Sequence, residues 1–183
     1  ALLMPCPQTI RAWISLAAGP VLIAAAPPTP ACEPLRVMSY NIRLDLESDG
    51  ENRWSKRREQ FVGQLLLMRP GILGLQEVLP AQKADLERTL PDYVFLGVAR
   101  DDGRSAGEFS SLAVDRRLFE VGASGTFWLS PTPDVPSRGW DAAFPRIATW
   151  ARLTRRSDGK RLLVLTTHFG HVGQQARLQG APH

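Results

Sequence analysis

Past residue 34 the chain alternates between two hydrophobic rhythms. LRVMSYNIRL (35–44) is a β-leaning apolar run that predicts a buried strand ending on the polar Asn41. ENRWSKRREQFVGQLLLMRP (51–70) instead places Trp54, Phe61, Leu65 and Met68 at helical spacing, with charge on the opposite face and Pro70 as a stop. GILGLQEV (71–78) returns to the strand pattern and ends near Glu77, and PAQKADLERTL (80–90) follows as a helix with Pro80 in its first turn. Five further strands are expected, in YVFLGVA, EFSSLAV, FEVGASGTFWL, RIATWARLT and KRLLVLTTHF, joined by turn-rich segments such as DDGRSAG and SDGK. An α/β opening followed by a run of strands predicts sheets packed together with helices outside.

The first residues follow neither rhythm. RAWISLAAGPVLIAAAPPTPAC has one basic residue, an apolar stretch from Ala12 to Ala26 and an A-x-A ending, which reads as an export signal over residues 1–26. Residues 27–34 then form a Pro-rich linker, and the folded domain is expected over 35–177, with an aberrant tail over 178–183. Export to a periplasm or to the exterior is the expected localisation. The apolar stretch is too short and too interrupted to span a bilayer, and no later segment is long enough. With Cys6 inside the signal, Cys32 is a lone thiol in the linker, so no internal disulfide is available. A lipid anchor at Cys32 is the alternative reading, against which TPAC lacks the expected aliphatic residue three places earlier.

At 183 residues and 44% hydrophobic, the chain is the size of one globular domain. Its net charge of +4 tilts towards anionic partners such as phosphate esters or nucleic acid, but the charge is spread along the chain as an ordinary arginine-rich surface would be. The chemistry-bearing groups are more informative. Asn41, Glu77 and His168 each stand at a strand end, and the first two are hard oxygen donors suited to Mg²⁺ or Ca²⁺. An imidazole nearby can hydrogen-bond a phosphoryl oxygen. A different reading makes His168 and His171, in TTHFGHVG, ligands of a transition metal, with no cysteine near to complete the set.

VMSYNIR, LGLQEV, GTFWLSPTPDVPSRGWDAAFPRIATWARL and LTTHFGHVG, in that order, resemble successive blocks of the endonuclease/exonuclease/phosphatase superfamily, the deoxyribonuclease I fold, and in particular its secreted bacterial branch. The resemblance covers Arg36 to Arg177. It implies an α/β (α+β) architecture of two packed mixed β-sheets flanked by helices, a four-layer sandwich that is incomplete here in its second half. It further implies Glu77 as the principal Mg²⁺ ligand (Mn²⁺ or Ca²⁺ as substitutes), Asn41 beside it, His168 on the scissile phosphate and Arg146 gripping phosphate oxygens. Glu108 would orient His168, and His171 would support it. The implied reaction is metal-assisted hydrolysis of a phosphodiester or phosphomonoester by an in-line water. The substrate would be a nucleic acid, a phospholipid headgroup or a small organophosphate, with no stable protein partner.

Three departures accompany the resemblance, one of them in EFSSLAVDRR, where an aromatic is usual near Val114. The GDFN-like block and the late Asp-His pair that position and activate water in such enzymes do not occur in the chain. Where related sequences read His-x-Asp-His, this one reads His168-Phe169-Gly170-His171. Strand edges left uncovered would make the fold marginal and prone to aggregate. The expectation is therefore a metal-dependent phosphoesterase that is inactive or weak, or a phosphate-binding module without turnover.

Overall fold

The structure, a computed structural model, describes residues 34–181. The expected export signal, Cys32 and nearly all of the linker lie outside the described residues. Every expected element is present. The strands are β1 (Val37–Asn41), β2 (Ile72–Val78), β3 (Tyr93–Leu96), β4 (Phe109–Asp115), β5 (Phe119–Trp128), β6 (Ile147–Arg155) and β7 (Arg161–Thr167). The helices are α1 (Trp54–Met68), α2 (Pro80–Thr89) and α3 (Gln174–Gly180), and a 3-10 turn, Glu47–Asn52, precedes α1. Residues 178–180, expected in an aberrant tail, form the last part of α3.

Four strands make the first sheet in the order β1-β2-β4-β3, and three make the second in the order β5-β6-β7. The first sheet is mixed, because β1 runs parallel to β2 while β4 is antiparallel to both β2 and β3. The second is antiparallel throughout, which corrects the expectation of two mixed sheets. A short turn joins β6 to β7 and can only reverse the chain, whereas the connection from β5 to β6 is the long loop 129–146.

Strand alternation divides the core. Leu73, Leu75 and Ala113 face α1 and α2, where they meet Trp54, Phe61, Leu65 and Leu86. Ile72, Leu112 and Val114 face the other way and pack on Phe119, Ala151 and Leu153 of the second sheet. The described residues thus form three layers: helices, first sheet, second sheet. The outer face of the second sheet carries Leu163 at 72% and Leu165 at 49% exposure, which is the expected incompleteness of the four-layer sandwich. Met68 also departs from expectation, being half exposed at the end of α1.

β1 is not the buried strand its apolar run predicts. It is an edge strand, exposed at alternate positions, with Val37 at 56%. Hydropathy alone cannot tell a central parallel strand from one that lacks a neighbour. Among the described residues no helix is long and apolar enough to cross a membrane.

The two sheets are in close contact under the strand ends that matter for chemistry. A Cβ on Gly74 of β2 would stand 2.5 Å from Thr166 Oγ1 of β7, so only glycine permits this spacing. Gln76, two residues on, donates to Ser39 at 3.2 Å and to Thr166 at 3.4 Å. Together these contacts tie the ends of β1, β2 and β7 into one corner.

Candidate active site

Asn41 closes β1 in register with Gln76, which leaves Glu77 at the same corner. The pairing of β2 with β4 slips between Leu75 and Val78, and Glu77 takes a left-handed backbone, φ 60°. This irregularity breaks the strict alternation of the strand and re-aims the carboxylate. Asn41 Nδ2 donates to Glu77 Oε1 at 2.7 Å, and the Leu44 amide donates to Oε2 at 3.3 Å. A non-glycine residue at positive φ is costly, and these two bonds help hold it there.

The loop after β1 is fixed from beneath. Arg57 of α1 donates to the carbonyls of Ile42 and Arg43, and the buried Gln82 of α2 donates to the same Arg43 carbonyl at 2.9 Å. The Arg43 amide in turn donates to Asn41 Oδ1 at 2.9 Å. Neither Arg57 nor Gln82 was marked by sequence reading, since each looks like an ordinary polar helix residue; only the loop they clamp gives them a role.

The second sheet supplies the cationic side. His168 follows β7, and its Nε2 stands 4.0 Å from Glu77 Oε1. Arg146 precedes β6, is 7% exposed, and donates from Nη1 to the His168 carbonyl at 3.4 Å. Its Nε and the Nδ1 of His168 are buried without partners. Burial first, then the Arg146 charge, lowers the His168 pKa below its ordinary value. The imidazole is therefore neutral at pH 7. In an NMR titration its midpoint should fall below about 6.5, and Arg146→Gln should raise it, since a neighbouring cation disfavours the proton. A midpoint unchanged by that variant would contradict the arrangement.

Two expected partners of His168 make no hydrogen bond to it among the described residues, although Glu108 lies close by. Glu108 Oε1 pairs with Arg100 Nη2 at 2.9 Å and makes no hydrogen bond to His168. A guanidinium offers a carboxylate a stronger bond than a neutral imidazole does. His171 lies exposed in the bend after β7, without a hydrogen bond to His168 among the described residues. Trp140 is likewise outside the core, 37% exposed and at φ 47°. Arg100, which the turn-like ARDDGRSAGE had hidden, enters the site instead: it is 9% exposed and stacks under Phe144, 4.9 Å from the ring centre.

A parallel pair of strand ends carrying a carboxylate and a carboxamide is thus faced, at one corner of an α/β sandwich, by an imidazole and a buried arginine from a second sheet. Comparison with known proteins gives the family. An endonuclease/exonuclease/phosphatase from Bacteroides vulgatus is 41% identical, with a TM-score of 0.75 over 79% of this chain and 55% of its own. A mannosyl-6-phosphatase from Bacteroides thetaiotaomicron is 37% identical, with a TM-score of 0.77 over 80% of this chain and 55% of its own. Uncharacterized protein L388 of Acanthamoeba polyphaga mimivirus is 24% identical over 144 residues, 74% of this chain and 54% of its own. No family model matches the chain. The chain belongs to the endonuclease/exonuclease/phosphatase superfamily and spans about half the length of the relatives it matches.

Proposed function

We propose that this chain carries the metal- and phosphate-binding face of an exported, metal-dependent phosphoesterase, and that it binds phosphate esters while hydrolysing them weakly or not at all. The observation that carries the reading is the junction of Asn41, Glu77 and His168, with Glu77 Oε1 2.7 Å from the first and 4.0 Å from the last. The mannosyl-6-phosphatase among its relatives supports a phosphate-ester substrate. Export rests on the signal expected over residues 1–26.

The donor set fits Mg²⁺. Glu77 offers a carboxylate and Asn41 a carboxamide oxygen with a lone pair to spare, and Mg²⁺ ordinarily takes one or two carboxylates and keeps several waters. Bound there, the ion would polarise a phosphoryl oxygen. The chain's own residues do the rest. Arg146 supplies a planar guanidinium to the phosphate oxygens, and neutral His168 can donate a hydrogen bond to one of them.

Weak turnover follows from the carboxylates at the rim. Asp45 is held by Arg53 at 3.1 Å, Asp49 by Arg43 at 2.9 Å and Glu108 by Arg100 at 2.9 Å. Among the described residues none is left beside Glu77 to take a proton from water, and general-base help contributes roughly 10² to 10⁴ in rate. With Mg²⁺ and bis-p-nitrophenyl phosphate, no appreciable hydrolysis is expected. Turnover that disappears with EDTA and in Glu77→Ala would overturn the weak-activity part of the proposal and leave the phosphoesterase assignment standing.

A further inference from the structure

Gln82 stands at the third position of α2, where a glutamine side chain ordinarily turns back to cap its own helix. Here it is 0% exposed. Its Oε1 accepts from the Leu79 amide at 3.0 Å, which is the capping bond, but its Nε2 leaves the helix and donates to the Arg43 carbonyl at 2.9 Å. Leu79 lies two residues past Glu77, and Arg43 two residues past Asn41. One buried carboxamide therefore bridges the chain where it leaves β2 and where it leaves β1, directly behind both candidate metal ligands.

The bridge reaches Glu77 through a single peptide plane. The Arg43 carbonyl and the Leu44 amide belong to the same trans peptide, so they point in opposite directions. Gln82 and Arg57 together occupy both lone pairs of that carbonyl, and the N–H is thereby aimed the other way, at Glu77 Oε2, 3.3 Å off. On the other side of the same residue, the Arg43 amide donates to Asn41 Oδ1 at 2.9 Å. Arg43 takes φ 59°, as uncommon for a non-glycine residue as the φ 60° of Glu77, and such a backbone persists only where its surroundings over-determine it. Arg57 ties this turn to α1. Gln82 ties it to the exit of β2.

We infer that Gln82 is a positioning residue for the metal: by holding the peptide between Arg43 and Leu44 against the exit of β2, it keeps the Glu77 carboxylate and the Asn41 carboxamide together as one ligand pair. The inference rests on the metal-binding reading above and deepens it. The position asks for a long carboxamide, because the same side-chain end must accept from one strand exit and donate to the other. Asparagine, one methylene shorter, cannot span both partners. Methionine fills the space and makes neither bond.

Titration calorimetry with Mg²⁺ alone tests this on the full chain, comparing wild type with Gln82→Met, Gln82→Asn and Leu86→Ala. Leu86 is also 0% exposed on α2, so its truncation destabilises the same helix without touching either bond of Gln82. Both Gln82 variants should bind Mg²⁺ about ten- to a hundredfold more weakly, the scale on which supporting hydrogen bonds act at metal sites. Leu86→Ala should lower the melting temperature and keep the wild-type affinity. In the absence of metal, NMR hydrogen exchange at the Leu44 amide should be faster in both Gln82 variants than in Leu86→Ala. Circular dichroism establishes that each variant folds. Wild-type affinity in a folded Gln82 variant, an equal loss of affinity in Leu86→Ala, or Leu44 exchange unchanged in both Gln82 variants overturns the inference and leaves Glu77 as a metal ligand. A wild type that binds no Mg²⁺ overturns both.

Discussion

Glu77→Gln is expected to lower Mg²⁺ affinity by about two orders of magnitude, the scale on which a single carboxylate ligand and its charge act at a metal site, while leaving the melting temperature nearly unchanged. The amide is isosteric and its single oxygen can still accept from Asn41 Nδ2, so only the longer, 3.3 Å bond from the Leu44 amide is lost at this left-handed position. What it loses is the full negative charge. Calorimetry with Mg²⁺ alone measures the first effect and thermal denaturation the second. Equal metal affinity in the two proteins would remove Glu77 from the site.

Phe119→Ala is expected to cost about 3–5 kcal/mol, as removal of a buried phenyl group does when the surrounding core cannot collapse. Phe119 is 1% exposed, at the start of β5 between the two sheets, against Ile72, Leu112 and Leu153. In a domain of this size that corresponds to a fall in melting temperature on the order of 10 °C. The consequence reaches the site, because the inter-sheet layer, with the Gln76–Thr166 hydrogen bond, holds the ends of β2 and β7, and hence Glu77 and His168, against each other. Leu163→Ala gives the contrast: at 72% exposure its loss should change stability by less than about 0.5 kcal/mol. Urea denaturation of the two variants checks both.

Most of the architecture is legible in the sequence because its elements are short, strongly patterned and separated by glycine and proline. Pro70 and Pro80 bracket β2, and SDGK closes the turn between β6 and β7. Asn41, Glu77, His168 and Arg146 were legible as well, since strand-end polar residues after apolar runs stand out and the motif blocks carry them. What was not legible depends on partners distant in sequence. The left-handed turn at Glu77 is held by groups more than thirty residues away, and nothing in LQEV announces it. The exposure of β1 depends on which strands flank it, not on its own residues. The ion pair of Glu108 with Arg100 is not legible because Arg100 sits in a segment that reads as a plain turn. His171 follows His168 by three residues, yet it lies exposed in the bend at 171–172.

The central claim is that metal and phosphate ester bind at one corner as a unit, Glu77 and Asn41 holding the ion and Arg146 and His168 the phosphate. The most direct test is calorimetric titration of phenyl phosphate with and without Mg²⁺, in wild type and in Glu77→Gln. Mg²⁺ should tighten ester binding in the wild type, and the variant should bind the ester at the metal-free affinity whether or not Mg²⁺ is present. Ester binding that is indifferent to Mg²⁺ in the wild type, or equally enhanced by it in Glu77→Gln, would contradict the account.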